Sequence, residues 1–257
     1  MTSQVDDEGV AVRTGPEVLS APPGLAVPVG PDSPVLDVLR TMRAMRRLAP
    51  EPLDREVLEQ LVQAAVWAPS AMNGQAYSYV VVTDRAVMAE LAELWRGVHR
   101  RYLAVTRRLR LGEHSRRAAA VGAALRYQAE NFHLTPAVIA VCYQMPRTGW
   151  NALRWFRAAR VAGPRFAHQY LRRRNRMVTA ASSSYPAAQN LLVAARALGL
   201  AANLTCWHMY DEAAFRRVLG VPRDVVIFGL VPVGRPLGRF GPVRRRPVEA
   251  VLRWDRW

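Results

Sequence analysis

The chain has 257 residues, of which 51% are hydrophobic, so it is long enough to bury one sizeable core. Its formal net charge is +16, and this excess comes entirely from arginine because the sequence contains no lysine. A basic surface attracts nucleic acid, anionic lipid and phosphorylated ligands alike, so charge alone names no partner. The only two cysteines, Cys142 and Cys206, lack metal-ligand spacing, which argues against a disulfide framework and a structural zinc site.

Residues 1–34 predict a disordered tail, because they are rich in proline and glycine, show no hydrophobic period and carry an acidic excess. They lack the basic start and apolar stretch of a signal peptide. No apolar run in the chain approaches the roughly 20 residues that span a bilayer. We therefore expect a cytoplasmic protein without a membrane partner, whose single domain covers residues 35–257.

Helices and strands alternate along that domain. Apolar spacing predicts helices over 35–45, from 54 to a stop at Pro69, and over 88–109, 116–132, 182–198 and 211–220. Short β-branched runs predict buried strands at 79–83, 137–143, 202–205 and 225–233. Pro186 is assigned to the first turn of the central helix, where a missing N–H is tolerated. This order predicts an α+β domain in which helices surround one mixed sheet.

Two long segments show no regular pattern. Residues 144–180 interleave arginines with aromatic side chains, among them Trp150, Trp155 and Phe156. This segment is either a solvated basic excursion or an insertion that forms a lid over a binding pocket. Residues 234–257 have no helical period, which is typical of an extended arm.

The first of three polar segments closes the first helix with Arg43, Arg46 and Arg47. The planar fork of arginine suits a phosphate monoester better than other side chains do. Taken alone, arginines at this spacing are more often a solvated helix face.

The other two polar segments lie far apart in the sequence. A loop before the first strand presents Ser70, Asn73 and Gln75, and amides of this kind can hydrogen-bond the polar edge of a flavin or a base. The third polar segment lies in the C-terminal arm and contains Arg244 and Arg245. Taken alone, the loop could merely cap a helix and the arginines could form a nonspecific basic patch.

Taken in order, these segments resemble the FMN-dependent nitroreductase family. The chain has RAMRRL at 43–48, APSAMNGQAY at 68–77, AAQNLLVAARALGL at 187–200 and GRFGPVRRRPVE at 238–249. The second and third motifs are specific as a pair, and the resemblance runs from about residue 35 to the C-terminus except for parts of 93–179. It implies a nitroreductase-like homodimer that binds FMN at its interface and exchanges its C-terminal arm.

The resemblance also implies roles for individual residues. The cofactor-binding residues would be Arg43 with Arg46 or Arg47 on the phosphate, Asn73 on the ring edge with Ser70 and Gln75 in the same loop, Thr205, Cys206 and Trp207 over the ring near N5, and Arg244 or Arg245 closing on the phosphate. His208 is either a satisfied polar residue or a proton donor.

The sequence departs from the family pattern at three places. Ala44 stands where the family has a phosphate-binding serine, and Ala76 and Tyr77 replace a Pro-Trp pair. Cys206 to His208 replace glycines that follow the central helix in the family. One phosphate contact is therefore lost, and the contact at N5 differs.

The implied activity is that of an oxidoreductase that transfers hydride from NADH or NADPH to a small aromatic or conjugated acceptor by a ping-pong mechanism. No catalytic acid is required, because arginine and backbone N–H groups can stabilise the reduced flavin. A deazaflavin donor stays open. The alternatives are a flavin-sequestering protein without catalysis, a basic nucleic-acid-binding module, and a flavin-fragmenting relative of the family. We do not expect nucleic acid to be a partner of this protein.

Overall fold

The structure is a computed structural model that describes residues 34–109, 116–145, 152–165, 168 and 172–257. The predicted tail lies outside the described residues apart from Pro34. Trp150 and the side chain of Trp155 lie outside them as well.

The described strands form one four-stranded sheet in the order β1-β2-β4-β3, in which every pairing is antiparallel. The strands are β1 Tyr77–Val82, β2 Ala137–Gln144, β3 Ala201–Ala202 and β4 Val225–Gly234. All four predicted strands are confirmed, although β3 is short and Thr205 joins β4 only through an isolated bridge to Leu230. The α+β class is confirmed too, with an antiparallel sheet among the described residues in place of a mixed one.

Seven α-helices surround the sheet in the described part of the chain. They are α1 Val35–Thr41, α2 Arg55–Val66, α3 Arg85–Arg108, α4 Arg116–Asn131, α5 Ala152–Ala162, α6 Arg173–Ala197 and α7 Glu212–Val218. Short 3-10 turns occur at Ala71–Asn73, Phe132–Leu134, Trp207–Asp211 and Val248–Ala250. None of the described helices combines the length and the apolar character that crossing a bilayer requires.

Strand β2 separates two hydrophobic cores. Val138, Ala140 and Cys142 point to one face, where α3 and α7 pack, and Ile139 and Val141 point to the other, where α2 and α6 pack. Successive side chains of a strand alternate between its faces, so a strand covered on both sides needs an unbroken apolar run. This explains why AVIAVCY contains no polar residue.

The predicted first helix ends four residues early, at Thr41. The Met45 N–H donates to the Ala202 carbonyl at 3.2 Å, and Leu48 forms a bridge with Pro236. Pairing with the edge of the sheet therefore replaces helical bonds after Thr41. The prediction that Arg43, Arg46 and Arg47 close a helix is wrong, since they lie in an extended segment that follows it.

The predicted irregular stretch over 144–180 contains α5 and the first turns of α6. Helix α6 begins at Arg173, so Pro186 lies in its interior, and its assignment to the first turn is wrong. The residues before the serines include arginine and methionine, which favour helix, and they extend α6 in the N-terminal direction. Proline has no N–H to donate to the carbonyl four residues earlier, so the helix lacks one backbone bond beside Ser182.

Candidate functional site

The middle of helix α6 contacts the amide loop, and through Phe228 it meets the segment that follows β3. The buried Ser183 hydroxyl accepts a hydrogen bond from the Ala71 N–H at 3.1 Å, which fixes the start of the amide loop. Tyr185 packs edge-on against Phe228 with 5.8 Å between ring centroids. The Cys206 thiol donates to the Phe228 carbonyl at 3.6 Å, so Tyr185 and Cys206 meet at the same strand residue.

Nearer its C-terminus the same helix contacts the residues directly before the first arginine segment and the C-terminal arm. The Gln189 amide lies 3.9 Å from the Met42 sulfur, directly before the first arginine segment. Arg196 donates through Nε to the Thr41 hydroxyl at 3.1 Å and stacks on the Phe240 ring of the arm at 4.3 Å. From Ser183 to Arg196 the helix rises about 20 Å at about 1.5 Å per residue. The amide loop, the residues directly before the first arginine segment and the C-terminal arm thus all contact one helix.

The three arginines of the first segment have different surroundings. Arg43 is exposed, whereas Arg46 is half-buried and burial lowers the pKa of its guanidinium. The Arg47 guanidinium lies 5.0 Å from the centre of the Tyr127 ring on α4, a cation–π contact. Arg43 and Arg46 are therefore the better placed of the three for a ligand.

The C-terminal arm begins against its own chain, next to this segment. The Leu237 N–H donates to the Arg47 carbonyl at 3.1 Å, and the Val243 N–H donates to the Arg40 carbonyl at 2.9 Å. Arg244 and Arg245, which follow Val243, are both exposed. The structure thus brings the start of the second arginine group close to the end of α1.

The amide loop is tightly turned and exposed. Met72, Asn73 and Gln75 all have positive φ, a conformation that costs energy for residues other than glycine and is concentrated at functional sites. The Ser70 hydroxyl accepts from the Gln75 backbone N–H at 3.0 Å. The side-chain amide of Gln75 donates through Nε2 to the side-chain oxygen Oδ1 of Asn73 at 3.1 Å. These bonds hold the backbone turn in place while both amide side chains remain at the surface.

The segment after β3 divides between the surface and the core. Thr205 pairs with Leu230 through two hydrogen bonds of 2.9 Å, and Gly229 permits this approach because a Cβ there would lie 2.4 Å from a Leu204 methyl. Trp207 stacks on Trp95 at 5.2 Å within the core beside α3. Trp207 therefore packs against that core, and it is half-buried, as are Thr205 and Cys206.

His208 is 1% exposed, and its Nε2 lies 2.8 Å from the Ile227 carbonyl oxygen, to which it donates. Burial lowers the pKa of this imidazole, which keeps it neutral. A proton donor for a bound ligand needs access to that ligand. Of the two readings drawn from the sequence, the geometry favours a buried polar residue over a proton donor; Nε2 is satisfied, whereas Nδ1 has no hydrogen-bond partner among the described residues.

A basic cleft of about 500 Å³ opens at the N-terminal end of α6. Its lining combines a cationic rim with an apolar floor: Met145, His168, Arg172, Arg173, Arg176, Met177, Arg223, Asp224 and Val226. Met145 and Met177 also pack against the cluster of Tyr143 and Phe228, which reaches Ala76 at the end of the amide loop. The cleft and the end of the amide loop thus border the same hydrophobic cluster.

The sequence profile of the Nitroreductase family matches residues 39–235. This chain belongs to the nitroreductase family. An NADH dehydrogenase of Thermus thermophilus is 27% identical over 224 residues, which cover 86% of this chain and 97% of that protein.

Two solved structures share the fold. One is the NfrA1 nitroreductase of Bacillus subtilis, with a TM-score of 0.61, 19% identity, and coverage of 87% of this chain and 74% of the other. The second is an NADPH:FMN oxidoreductase of Vibrio harveyi complexed with NAD⁺, with a TM-score of 0.58, 18% identity, and coverage of 87% and 77%. The family and the relatives' names support an oxidoreductase.

The structure adds Ser183, Tyr185 and Arg196 to the residues that the sequence named. Of these, only Arg196 leaves a signal in the sequence, because it is a charged residue inside the apolar run VAARALGL. Ser183 and Tyr185 lie among serines and small residues, whose pattern does not mark a site. Their contacts depend on how the amide loop and β4 approach α6.

Proposed function

We propose that this member of the nitroreductase family is an FMN-dependent enzyme that takes hydride from NADH or NADPH and passes it to a small aromatic or conjugated acceptor by a ping-pong mechanism. One observation carries this proposal: the amide loop, the residues directly before the first arginine segment and the C-terminal arm all contact α6, which contains most of the motif AAQNLLVAARALGL. When bound, FMN supplies the hydride chemistry, while the protein supplies binding, orientation and charge.

The phosphate of FMN would be held at the end of α1. Arg43 and Arg46 approach this point from the extended segment, and Arg244 and Arg245 follow Val243, which is bonded to Arg40. Guanidinium groups form short, charge-assisted hydrogen bonds to phosphate oxygens. Several such groups can compensate for the serine that Ala44 replaces.

The polar edge of the ring would be held by the amide loop. Asn73 and Gln75 bond to each other, so either amide can turn to a ligand at the loss of one exposed hydrogen bond. The Ser183 and Ser70 bonds fix the backbone beneath them. Thr205 and Cys206, which are hydrogen-bonded to β4, would border the flavin ring as well.

The basic cleft next to the amide loop would admit the acceptor. Arg173 and Arg223 are exposed on its rim, while Met145, Met177 and Val226 form an apolar floor. Such a lining suits a planar acceptor that carries an anionic group. Some of the lining residues belong to the segment 144–180, and the lid formed by that segment stays a prediction.

Reduction of the bound flavin tests the proposed activity. Protein saturated with FMN is titrated anaerobically with NADH and with NADPH, and a quinone or nitroaromatic compound is then added. We expect the absorbance of oxidised flavin to disappear and then return, faster than for free FMN at the same concentration. Uptake of FMN without reduction would indicate a flavin-sequestering protein, and no uptake at all would overturn the proposal.

Steady-state kinetics with matched acid and ester acceptors test the cleft. Raised salt should increase KM for the acid more than for the ester, because screening weakens only the charged encounter. Arg223→Ala should reproduce this selective loss at low salt, whereas Arg217→Ala, an exposed arginine on α7, should not. If salt raised KM equally for both acceptors, the cleft would have no part in the choice of substrate.

A dimer would complete the molecule. Beyond Val243 the arm exposes large apolar side chains: Val248, Val251, Leu252, Trp254 and Trp257. Trp254 is 80% exposed, and exposed apolar patches of this kind mark surfaces that another chain covers. We propose that the arm packs on the partner subunit, as the family resemblance implies.

A further inference from the structure

Arg196 lies in the last turn of α6, and it is 1% exposed. Its Nε donates to the Thr41 hydroxyl at 3.1 Å. Among the described residues, Nη1 and Nη2 have no hydrogen-bond partner although both are buried. A guanidinium presents five N–H donors and stays charged in proteins, so four of its donors are unsatisfied here.

A buried charge without a partner is strongly unfavourable. Thr41 offers only the oxygen of its hydroxyl, and that hydroxyl donates its proton to the Asp37 carbonyl at 2.6 Å. Phe240 contributes a ring face, to which the guanidinium is attracted at 4.3 Å. Neither contact neutralises the charge, so the site requires an anion with acceptor oxygens for both Nη groups.

A second desolvated guanidinium follows directly in the neighbouring segment. Met45 packs with Phe240 in the small cluster beside Arg196, and Arg46 comes next in the chain. Burial lowers the pKa of both the Arg46 and the Arg196 guanidinium. Arg196 is therefore withdrawn from water beside Thr41, the last residue of α1, and Arg46 is partly withdrawn from water five residues further along the chain.

We propose that Arg196 binds the phosphate monoester of the flavin through Nη1 and Nη2, and so supplies the contact that is lost at Ala44. The proposal rests on the proposed function, because it assumes that FMN is the ligand. Phe240, which lies in the arm outside any strand, covers the guanidinium, and the phosphate would share this ring contact or displace it.

Flavin titrations of Arg196→Met test this role. Methionine keeps much of the side-chain volume and removes the charge. Apoprotein of the wild type and the variant is titrated with FMN and with riboflavin, which lacks the phosphate. We expect FMN affinity to fall about 10- to 100-fold, as for other charge-assisted hydrogen bonds, while riboflavin affinity is unchanged. Arg108→Met, an exposed arginine at the end of α3, is the control and should change neither affinity.

The thermal stability of the apoprotein provides a second readout. Removing an uncompensated buried charge should raise the Tm of apo Arg196→Met, and inorganic phosphate should raise the Tm of the wild type more than that of the variant. A purely structural arginine would instead give a lower Tm and equal losses of FMN and riboflavin affinity, which would overturn the proposal. So would unchanged FMN affinity, as expected if a carboxylate of the partner subunit neutralised Arg196.

Arg196→Lys keeps the charge and removes the fork, so it covers the case in which the methionine variant does not fold. Its FMN affinity should lie between those of the wild type and a protein without the phosphate contact, again with no effect on riboflavin. Equal losses for both flavins would overturn the role of Arg196. Failure of the wild type to bind FMN, with a phosphate-dependent rise in its Tm that Arg196→Lys weakens, would retain an anion site and reject the proposed function.

Discussion

Arg46 and Arg47 are neighbours in the sequence but have different surroundings. The sequence assigns the phosphate to either of them, and nothing in the RAMRRL motif distinguishes them. In the structure, Arg47 stacks on Tyr127, whereas Arg46 is half-buried and its pKa is lowered by burial. The contact with α4 depends on packing between residues 80 positions apart, which no local pattern in the sequence reveals.

We expect Arg46→Ala to weaken FMN binding about 10- to 100-fold, since it removes a charge-assisted contact of about 1.5–3 kcal/mol. Arg43→Ala should act in the same direction. Arg47→Ala is the matched control and should leave affinity within about twofold, because its guanidinium is engaged with Tyr127. Equilibrium titration of apoprotein measures all three, and a larger effect at Arg47 than at Arg46 would reverse the assignment.

His208 should make stability depend on pH. Burial lowers its pKa in the folded protein below the value of about 6.5 that it has when unfolded. The unfolded chain therefore binds the proton more readily, and stability is complete above about pH 6.5 and falls as the pH drops towards the folded pKa. The loss is about 1.4 kcal/mol for each pH unit in that window.

Urea unfolding at pH 7.5 and pH 5.5 checks this prediction. His208→Gln can still donate to the Ile227 carbonyl but cannot take up the proton, so the difference in unfolding free energy between the two pH values should shrink. Burial also lowers the pKa of His99. The variant His99→Gln therefore shows how much of the pH dependence that remains in His208→Gln comes from His99. An unchanged pH dependence in His208→Gln would refute the role assigned to it.

At the scale of elements, α6 organises the site. Its length and its boundaries were only partly predictable. The spacing of Leu191, Leu192 and Ala195 predicts the second half, because these residues face the core with α2. The first half begins among arginines without an apolar stripe, and the sequence offers no capping signal at Arg172 to mark its start.

The strands were easier to predict than the helix ends. Strands β2 and β4 are buried on both faces, so their unbroken apolar runs identify them. The end of α1 was not predictable, because the competing bonds come from Ala202 and Arg235, far along the chain. The same reason applies to the site: its motifs are visible, whereas Ser183, Tyr185 and Arg196 depend on tertiary contacts.

Ser183→Ala should loosen the amide loop. It removes the acceptor for the Ala71 N–H, and we expect a stability loss of about 1 kcal/mol. FMN and riboflavin should lose affinity equally, because this contact supports the ring end and not the phosphate end. Ser182→Ala, the exposed neighbour on α6, should change neither stability nor affinity by a comparable amount. A selective loss of FMN would contradict this division of the site.

At the scale of the whole molecule, the proposed function would make the arm a link between cofactor binding and assembly. Its first part contacts the Arg47 and Arg40 carbonyls of its own chain, and its last part exposes apolar side chains. A chain that ends after Pro247 keeps Val243 and both Arg244 and Arg245. It therefore separates the loss of the partner contact from the loss of the arginines.

We expect that truncation to be monomeric, because it lacks the apolar side chains that would pack on the partner subunit. It should also bind FMN more weakly than the full chain, because FMN that binds at the dimer interface is coupled to dimer formation by mass action. Light scattering gives the oligomeric state, and flavin titration gives the affinity. A truncation ending at Arg235 should lose both the dimer and FMN. A dimeric protein after truncation at Pro247 would show that the arm is not part of the interface.

Pro186 divides α6 into halves that differ in exposure. Before it, Val178 and Tyr185 are exposed, and after it, Ala187, Leu191 and Ala195 are fully buried. Amide hydrogen exchange reports the free energy of local opening, which is lowest where buried apolar contacts are few. We expect residues 174–185 to exchange faster than 187–197, and the ratio to persist with FMN bound. Under the proposed function, the end of the helix next to the basic cleft could then open without releasing an FMN phosphate bound at the other end.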